Sequence, residues 1–501
     1  MSDVYMPGVK SRFNSEKLIE DLMRLERAPK EKVERKVDEQ QERIVWWQDL
    51  GRRVTSFRES AQTLFSFQNP FNERTAVSSN ENVITATANR GADEGEYQFT
   101  VKQLAQADRL LSPPLDDKMR IEAGTYGFTL GENNGEISLN FQGGSLREFV
   151  DAVNRQGRGK ISASLLTVQP GTRSILLESK ITGAENSLGF TGEAAALAES
   201  MTAVSTAQDA IISMQGIDMM RPTNVINDII PDVTITARAV SERPERLEIR
   251  PDREGVKDSI ISLVGNYNRL MAELNVLLTP MPGKDAAGSD VAARRAAALR
   301  IVDELTYLDR DEAEDMKNRL GAFSGDTTLT QFRSNLQRAV SSLYPTDDEH
   351  DISLLAQIGI STNGSRSSGA GYNPSRLRGY LDIDEKKLDE AIEQNLPAIR
   401  QLFAYDTTGD MLVDTGVAYN LHAVSKAFDG KELGGIISLK TGTISSQVAQ
   451  DRRRIDTMER QLAAKEAELK IQYSRMESAY DRMERMSSSL DNFSQRANNN
   501  R

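Results

Sequence analysis

The chain has 501 residues, of which 38% are hydrophobic and 6% aromatic, and 74 acidic against 62 basic residues leave a net charge of −12. That balance excludes a phosphate-neutralising nucleic-acid surface, and the absence of cysteine removes disulfides, thiolate metal sites and cysteine nucleophiles. With a mean hydropathy of −0.49, the composition fits apolar surface spent on helix seams and small modules, and a length prior of roughly 150 residues per domain predicts three or four units.

Leu18, Ile19, Leu22 and Leu25 form a short amphipathic set that Pro29 stops or kinks, with Asn14 or Ser15 placed to cap it. A second helix is predicted from about Lys30 to Phe67. Its stripe of Trp47, Leu50, Val54, Phe57, Ala61 and Leu64 alternates steps of three and four, the spacing of a partner-facing seam, and Asn69-Pro70 ends it.

From Val77 the period becomes alternating and β-branched residues dominate, in Val83–Ala88 and Tyr97–Leu104. Tyr126–Leu130 and Ile137–Phe141 flank a Gly/Asn turn at Gly131–Gly135, which reads as a hairpin. Ser145 and Glu148 form a capping box ahead of a helix whose buried face is Leu146, Phe149, Val150 and Val153. Strands resume at Ile161–Val168 and Ser174–Glu178, while Glu193–Ser205 reads as a loosely packed surface segment. A second β group spans Ala210–Arg250, so strand, short helix and strand are predicted twice, at 126–178 and at 210–250.

Helix returns at Gly255 with a broad stripe from Val256 to Leu277, continues within Asp290–Arg319 and Thr328–Leu343, and recurs at Glu385–Gln394. After Gly434-Gly435 comes a sustained ladder: Ile455, Leu462, Leu469, Met476, Met483 and Leu490 fall at steps of seven, the pattern of a coiled coil. The companion position, Met458, Lys465, Gln472, Ala479, Met486 and Phe493, is polar in its middle. The predicted fold class is therefore α+β multidomain, with a helical, coiled-coil stalk formed by both termini and a β-rich insertion of two small domains. The expected boundaries are 1–42 for an N-terminal helical leg, 43–75 with 251–432 for a helical stalk domain, 76–112 with 206–250 for a β-rich plate, 113–205 for a distal β-rich domain and 433–501 for a C-terminal coiled-coil leg. Leu18, Leu22, Leu25, Trp47, Leu50, Val54 and Phe57 from the first helices, together with the ladder residues, are the expected assembly seam.

Little in the chain points to catalysis. His350 and His422 are the only histidines. The acidic run around His350 lacks metal-ligand spacing and reads as a solvated loop. Asp406–Asp410 lacks the alternating acids and closing Glu of a calcium loop and reads as a turn. No phosphate-cradling glycine motif or nucleophile elbow occurs. No enzyme activity, cofactor or metal is expected. No apolar run approaches the roughly 18 residues of a membrane span, and Met1–Phe13 lacks a cleavable signal layout. That predicts a cytoplasmic protein or one that leaves by another route. Heptad residues alone do not separate intramolecular pairing from oligomerisation.

The segments Leu18–Lys30, Phe71–Ser79 with Val83–Ala88, Gly95–Ala107, Asp209–Gly216 continuing through Thr223–Thr236, and Leu433–Lys440 together resemble the flagellar filament cap family, also called hook-associated protein 2. Met6–Phe13 departs from the opening associated with that family, and 284–320 is similar to extra helical sequence. The resemblance implies a secreted homo-oligomer, a small ring at the filament tip, which retains flagellin and promotes its folding. It also implies flagellin, hook-associated proteins and an export chaperone as partners, and passage through the flagellar export apparatus, to a filament that is external or periplasmic. A hook–filament junction protein and a surface adhesin or fibre tip are the alternatives.

Overall fold

The computed structural model describes residues 15–131, 135–157, 159–281, 289–305, 307–347, 352–362, 378–429, 431 and 434–498, with only the backbone at 15, 289 and 492–498. His350 with Asp348, Glu349 and Asp351, the Gly/Ser-rich stretch 363–371 and the Phe493 side chain lie outside these. The chain divides into two compact units, 68–256 and the combination of 1–67 with 257–501.

The first helix, α1, runs unbroken over Ser15–Thr63, so Pro29 does not divide it as the sequence suggested. Proline removes one backbone bond and crowds the preceding turn. Here the turns on both sides of it are tied to the same partner helix, through Arg27 to Glu466 and Lys30 to Glu459. Tertiary packing of the amphipathic face outweighs the local penalty.

In the β unit, strands 74–78, 245–251, 95–103, 210–214 and 217–221 form one antiparallel sheet in that order, and 225–226, 233–237 and 84–88 form a second. Phe99, Val101, Ile212, Leu247 and Ile249 of the first sheet share a single core with Ile84, Ile226, Val233 and Ile235 of the second. No helix lies between 210 and 250, contrary to the predicted strand–helix–strand repeat. Gly216, at φ +86°, turns the chain straight into the strand 217–221, and Pro222 and Pro231 keep the segment beyond that strand from winding into a helix.

The remaining strands build the distal module: 188–192, 120–130 and 136–145 in one sheet, and 202–205, 109–111, 172–179 and 115–116 in another, with 161–169 pairing along 172–179. Helix α2, Leu146–Gln156, packs between them. Its capping box forms as predicted, with the Glu148 amide donating to Ser145 Oγ at 3.3 Å and the Ser145 amide to Glu148 at 2.7 Å. The Ser145 amide holds the Glu148 carboxyl below the ordinary carboxylate range. The ring of Phe149 on α2 meets Tyr126 and Phe141 edge-on at 5.0 and 5.3 Å, anchoring the helix to the hairpin. The stretch read as a surface segment is ordered as helix α3, Glu193–Glu199, and strand 202–205; Ala194 is buried in the module's core.

The helical unit continues with α4 (Arg253–Leu278), α5 (Ser289–Asp303), α6 (Arg310–Arg319), α7 (Thr327–Ser341), α8 (Glu385–Phe403), α9 (Val417–Lys426) and α10 (Ile436–Asn498). In α8 the backbone leaves helical values at Asn395, two residues ahead of Pro397, so the second half bends from the predicted span 385–394. Trp47 stacks on Phe323 at 4.5 Å and Phe332 on Phe428 at 4.0 Å, joining α1 and α7 to the rest of this core.

Candidate functional site

The two long helices from opposite ends of the chain pair with each other. Arg27 meets Glu466 at 3.7 Å, Lys30 meets Glu459 at 2.8 Å and Lys36 meets Asp451 at 3.0 Å, so numbers rise on α1 as they fall on α10 and the pair is antiparallel. The Glu459 contact raises the Lys30 pKa above its ordinary value.

The predicted seam residues divide into three sets. Trp47, Leu50, Val54 and Phe57 are buried in the helical core of the unit. Ile455, Leu462 and Leu469 are half-buried along the pair of helices. Leu18, Leu22 and Leu25 stand outside, with Leu25 72% exposed, while their neighbours Ile19 and Met23 face inward. Met476, Met483 and Leu490 are also exposed, Met483 by 66%. Beyond Leu469 the ladder residues themselves are exposed, while Glu477 beside Met476 is buried. A cavity of about 430 Å³, lined by Ile19, Met23, Arg27, Glu466 and Lys470 among others, opens at this end of the pair.

Two polar clusters that sequence reading missed fasten α1 to the rest of the unit. Glu273 on α4 is wholly buried and accepts from Arg53 Nε at 3.1 Å and from Arg319 Nη1 at 3.0 Å. Arg319 also reaches Asp49 at 2.8 Å and contacts Asp315. The second cluster is Arg58, His422 and Asp429. Arg58 donates through Nε to His422 Nε2 at 2.9 Å and through Nη1 to Asp429, which also accepts the Thr55 hydroxyl. Burial opposes charge on Asp429, but the Lys431 amide, Thr55 and Arg58 outweigh it and hold its pKa down.

Because His422 Nε2 accepts a proton donor, the ring is neutral there, and burial followed by the nearby Arg58 and Lys426 charges lowers its pKa, against the opposing pull of Asp429. A lowered imidazole pKa means that the unfolded chain takes up a proton first. The stability that this contact contributes is complete above the ordinary value of 6.5 and declines as pH falls below it. We expect urea midpoints of the helical unit to fall between about pH 7 and pH 5 and the His422→Gln variant, whose amide oxygen keeps the acceptor, to lose much of that slope. An unchanged slope in the variant would assign the effect elsewhere.

Among the described residues no cluster of acidic or histidine side chains is arranged to hold a metal, and no helix is long and apolar enough to cross a membrane. Asp406 instead closes a turn, its carboxylate accepting from the amides of Thr408, Gly409 and Met411.

Terminal helices zipped to each other, tied by buried ions, and separated in sequence by antiparallel β modules define a structural assembly protein of α+β class. Family models for the flagellar hook-associated protein 2 N-terminus and C-terminus match residues 11–108 and 207–485. Flagellar hook-associated protein 2 of Treponema maltophilum is 28% identical, with 92% of this chain and 94% of that protein covered, and its Treponema pallidum counterpart is 24% identical over 89% and 93%. The solved D1-D2-D3 domains of the flagellar cap protein FliD from Escherichia coli share the fold at a TM-score of 0.52 and 21% identity, covering 80% of this chain and 99% of that one.

The chain belongs to the flagellar hook-associated protein 2 family. It is a structural protein, a flagellar filament cap found at the filament tip, and the junction-protein and adhesin readings are not favoured.

Proposed function

We propose that this chain self-associates into a small ring that closes the distal end of the filament, keeps flagellin subunits from escaping and promotes their folding and insertion. The observation that carries this reading is the division of the α10 ladder: paired with α1 as far as Leu469, it continues to Leu490 with its apolar residues exposed. A soluble monomer gains nothing from an uncovered apolar ladder, and contiguous exposed apolar surface marks an interaction site. In this reading 1–42 and 433–501 are legs that contact flagellin and neighbouring protomers, 43–75 with 251–432 is the supporting helical domain, and 76–112 with 206–250 and 113–205 are the plate and distal domains. The chain travels unfolded through the flagellar export apparatus with an export chaperone and meets hook-associated proteins during assembly.

Deletion of the gene tests this. The expected outcome is cells with completed hooks, few or no filaments, and flagellin accumulating unpolymerised outside the hook; filaments of normal number and length would overturn the reading.

A further inference from the structure

The chain holds 16 methionines and no cysteine, so every sulfur that an oxidant meets is a thioether. Burial sorts these sulfurs within the helical unit. Met23, Met271 and Met316 are 2%, 0% and 3% exposed, whereas Met476, Met483 and Met486 of α10 are 48%, 66% and 64% exposed. Steps of seven and three put the latter three on one helix face, which they share with the exposed Tyr480 and Leu490.

The residue type changes along the ladder as the exposure does. The half-buried positions are Ile455, Leu462 and Leu469, and the next two steps are both methionine. An unbranched thioether adapts its shape to the surface it meets, which suits a docking ladder. It also carries a sulfur lone pair that leucine lacks. When hydrogen peroxide reaches that sulfur, the S–O bond forms as the O–O bond breaks, and sulfur is oxidised by two electrons. The proton on the transferred oxygen passes to the departing one, which leaves as water. The product is a polar sulfoxide, whose oxygen must be stripped of water before the ladder docks.

We propose that Met476, Met483 and Met486 form a reversible oxidation site, at which peroxide converts the free subunit's ladder to sulfoxides and blocks its docking, and methionine sulfoxide reductases restore it. The inference rests on the self-association proposed above. Full-length chain, held below its assembly concentration, is treated with graded hydrogen peroxide. Each ladder methionine follows an arginine, Arg475, Arg482 or Arg485, so trypsin places each sulfur at the head of a separate peptide for mass spectrometry. Oxygen is expected on these three well before Met23, Met271 and Met316. The concentration for half-assembly in sedimentation should rise at least about tenfold and return after treatment with both reductase types, one for each sulfoxide epimer. A chain carrying Met476→Leu, Met483→Leu and Met486→Leu, a volume-conserving change, should assemble like the unmodified chain and keep assembling after peroxide. Met220 and Met411, 60% and 93% exposed, stay in that variant as controls. Three outcomes each overturn the site while leaving self-association standing: equal oxidation of ladder and buried sulfurs, unimpaired assembly of the oxidised chain, or an equal loss in the leucine variant. An untreated chain that never assembles removes self-association, and the site's role with it.

Discussion

Replacing Glu273 by alanine is expected to destabilise the helical unit by about 3–5 kcal/mol, the range seen when one member of a buried ion group is removed and its partners are left behind. The magnitude comes from burial: Glu273 has no exposure, and it is the acceptor for both Arg53 and Arg319. Arg319 keeps Asp49 and Asp315 after the change, so the larger part of the loss falls on Arg53. Both tryptophans, Trp46 and Trp47, lie on α1, which makes urea unfolding followed by their fluorescence a reporter of this unit alone. Glu273→Leu combined with Arg53→Met and Arg319→Met is expected to recover much of the stability, because well-packed apolar side chains replace buried ion groups at little net cost. A loss below about 1 kcal/mol in Glu273→Ala would mean that water reaches the site and screens the two guanidinium groups.

Trp47→Ala is expected to cost a similar amount, about 3–5 kcal/mol, for a different reason. The indole is 2% exposed, stacks on Phe323 and carries the Lys440 ammonium 5.6 Å from its ring centre. Its removal leaves a void among side chains from three parts of the chain, and the surrounding helices are too constrained to collapse into it. Trp46 remains as the fluorescent probe, and a fall in the urea midpoint with an unchanged slope is the predicted signature. Lost midpoint together with a changed slope would instead indicate that α1 detaches before the rest unfolds.

These two positions show what the amino-acid pattern discloses and what it hides. Trp47 was legible because it belongs to a stripe with regular spacing that continues through Leu50, Val54 and Phe57 to Leu64, all buried. Glu273 was not, because a carboxylate among Met271, Leu274 and Leu277 reads as the solvent side of a helix until Arg53 and Arg319 arrive from 220 and 46 residues away. The Arg58–Asp429 tie, 371 residues apart, is hidden for the same reason. Helix α9 escaped notice because it is short and opens on Gly416, whose φ of +116° and closeness to the Phe403 carbonyl admit no side chain; the residue serves the turn and gives no capping hydroxyl or carboxylate to read. The ladder's period was plain from Ile455 to Leu490, but periodicity names a face without naming what covers it. Ile19 and Met23 turn inward and Leu18, Leu22 and Leu25 outward, a rotation that depends on where α10 lies.

The exposed end of that ladder is the feature on which the capping role rests, and the filament tip is where it is tested. Electron microscopy of filament ends, comparing cells that carry the full chain with cells whose chain stops after Leu469, is the most direct measurement. The full chain is predicted to give filaments with a distinct ring-shaped density at the end, and the shortened chain to give bare hooks with flagellin lost to the surroundings. Capped filaments of normal length from the shortened chain would contradict the account.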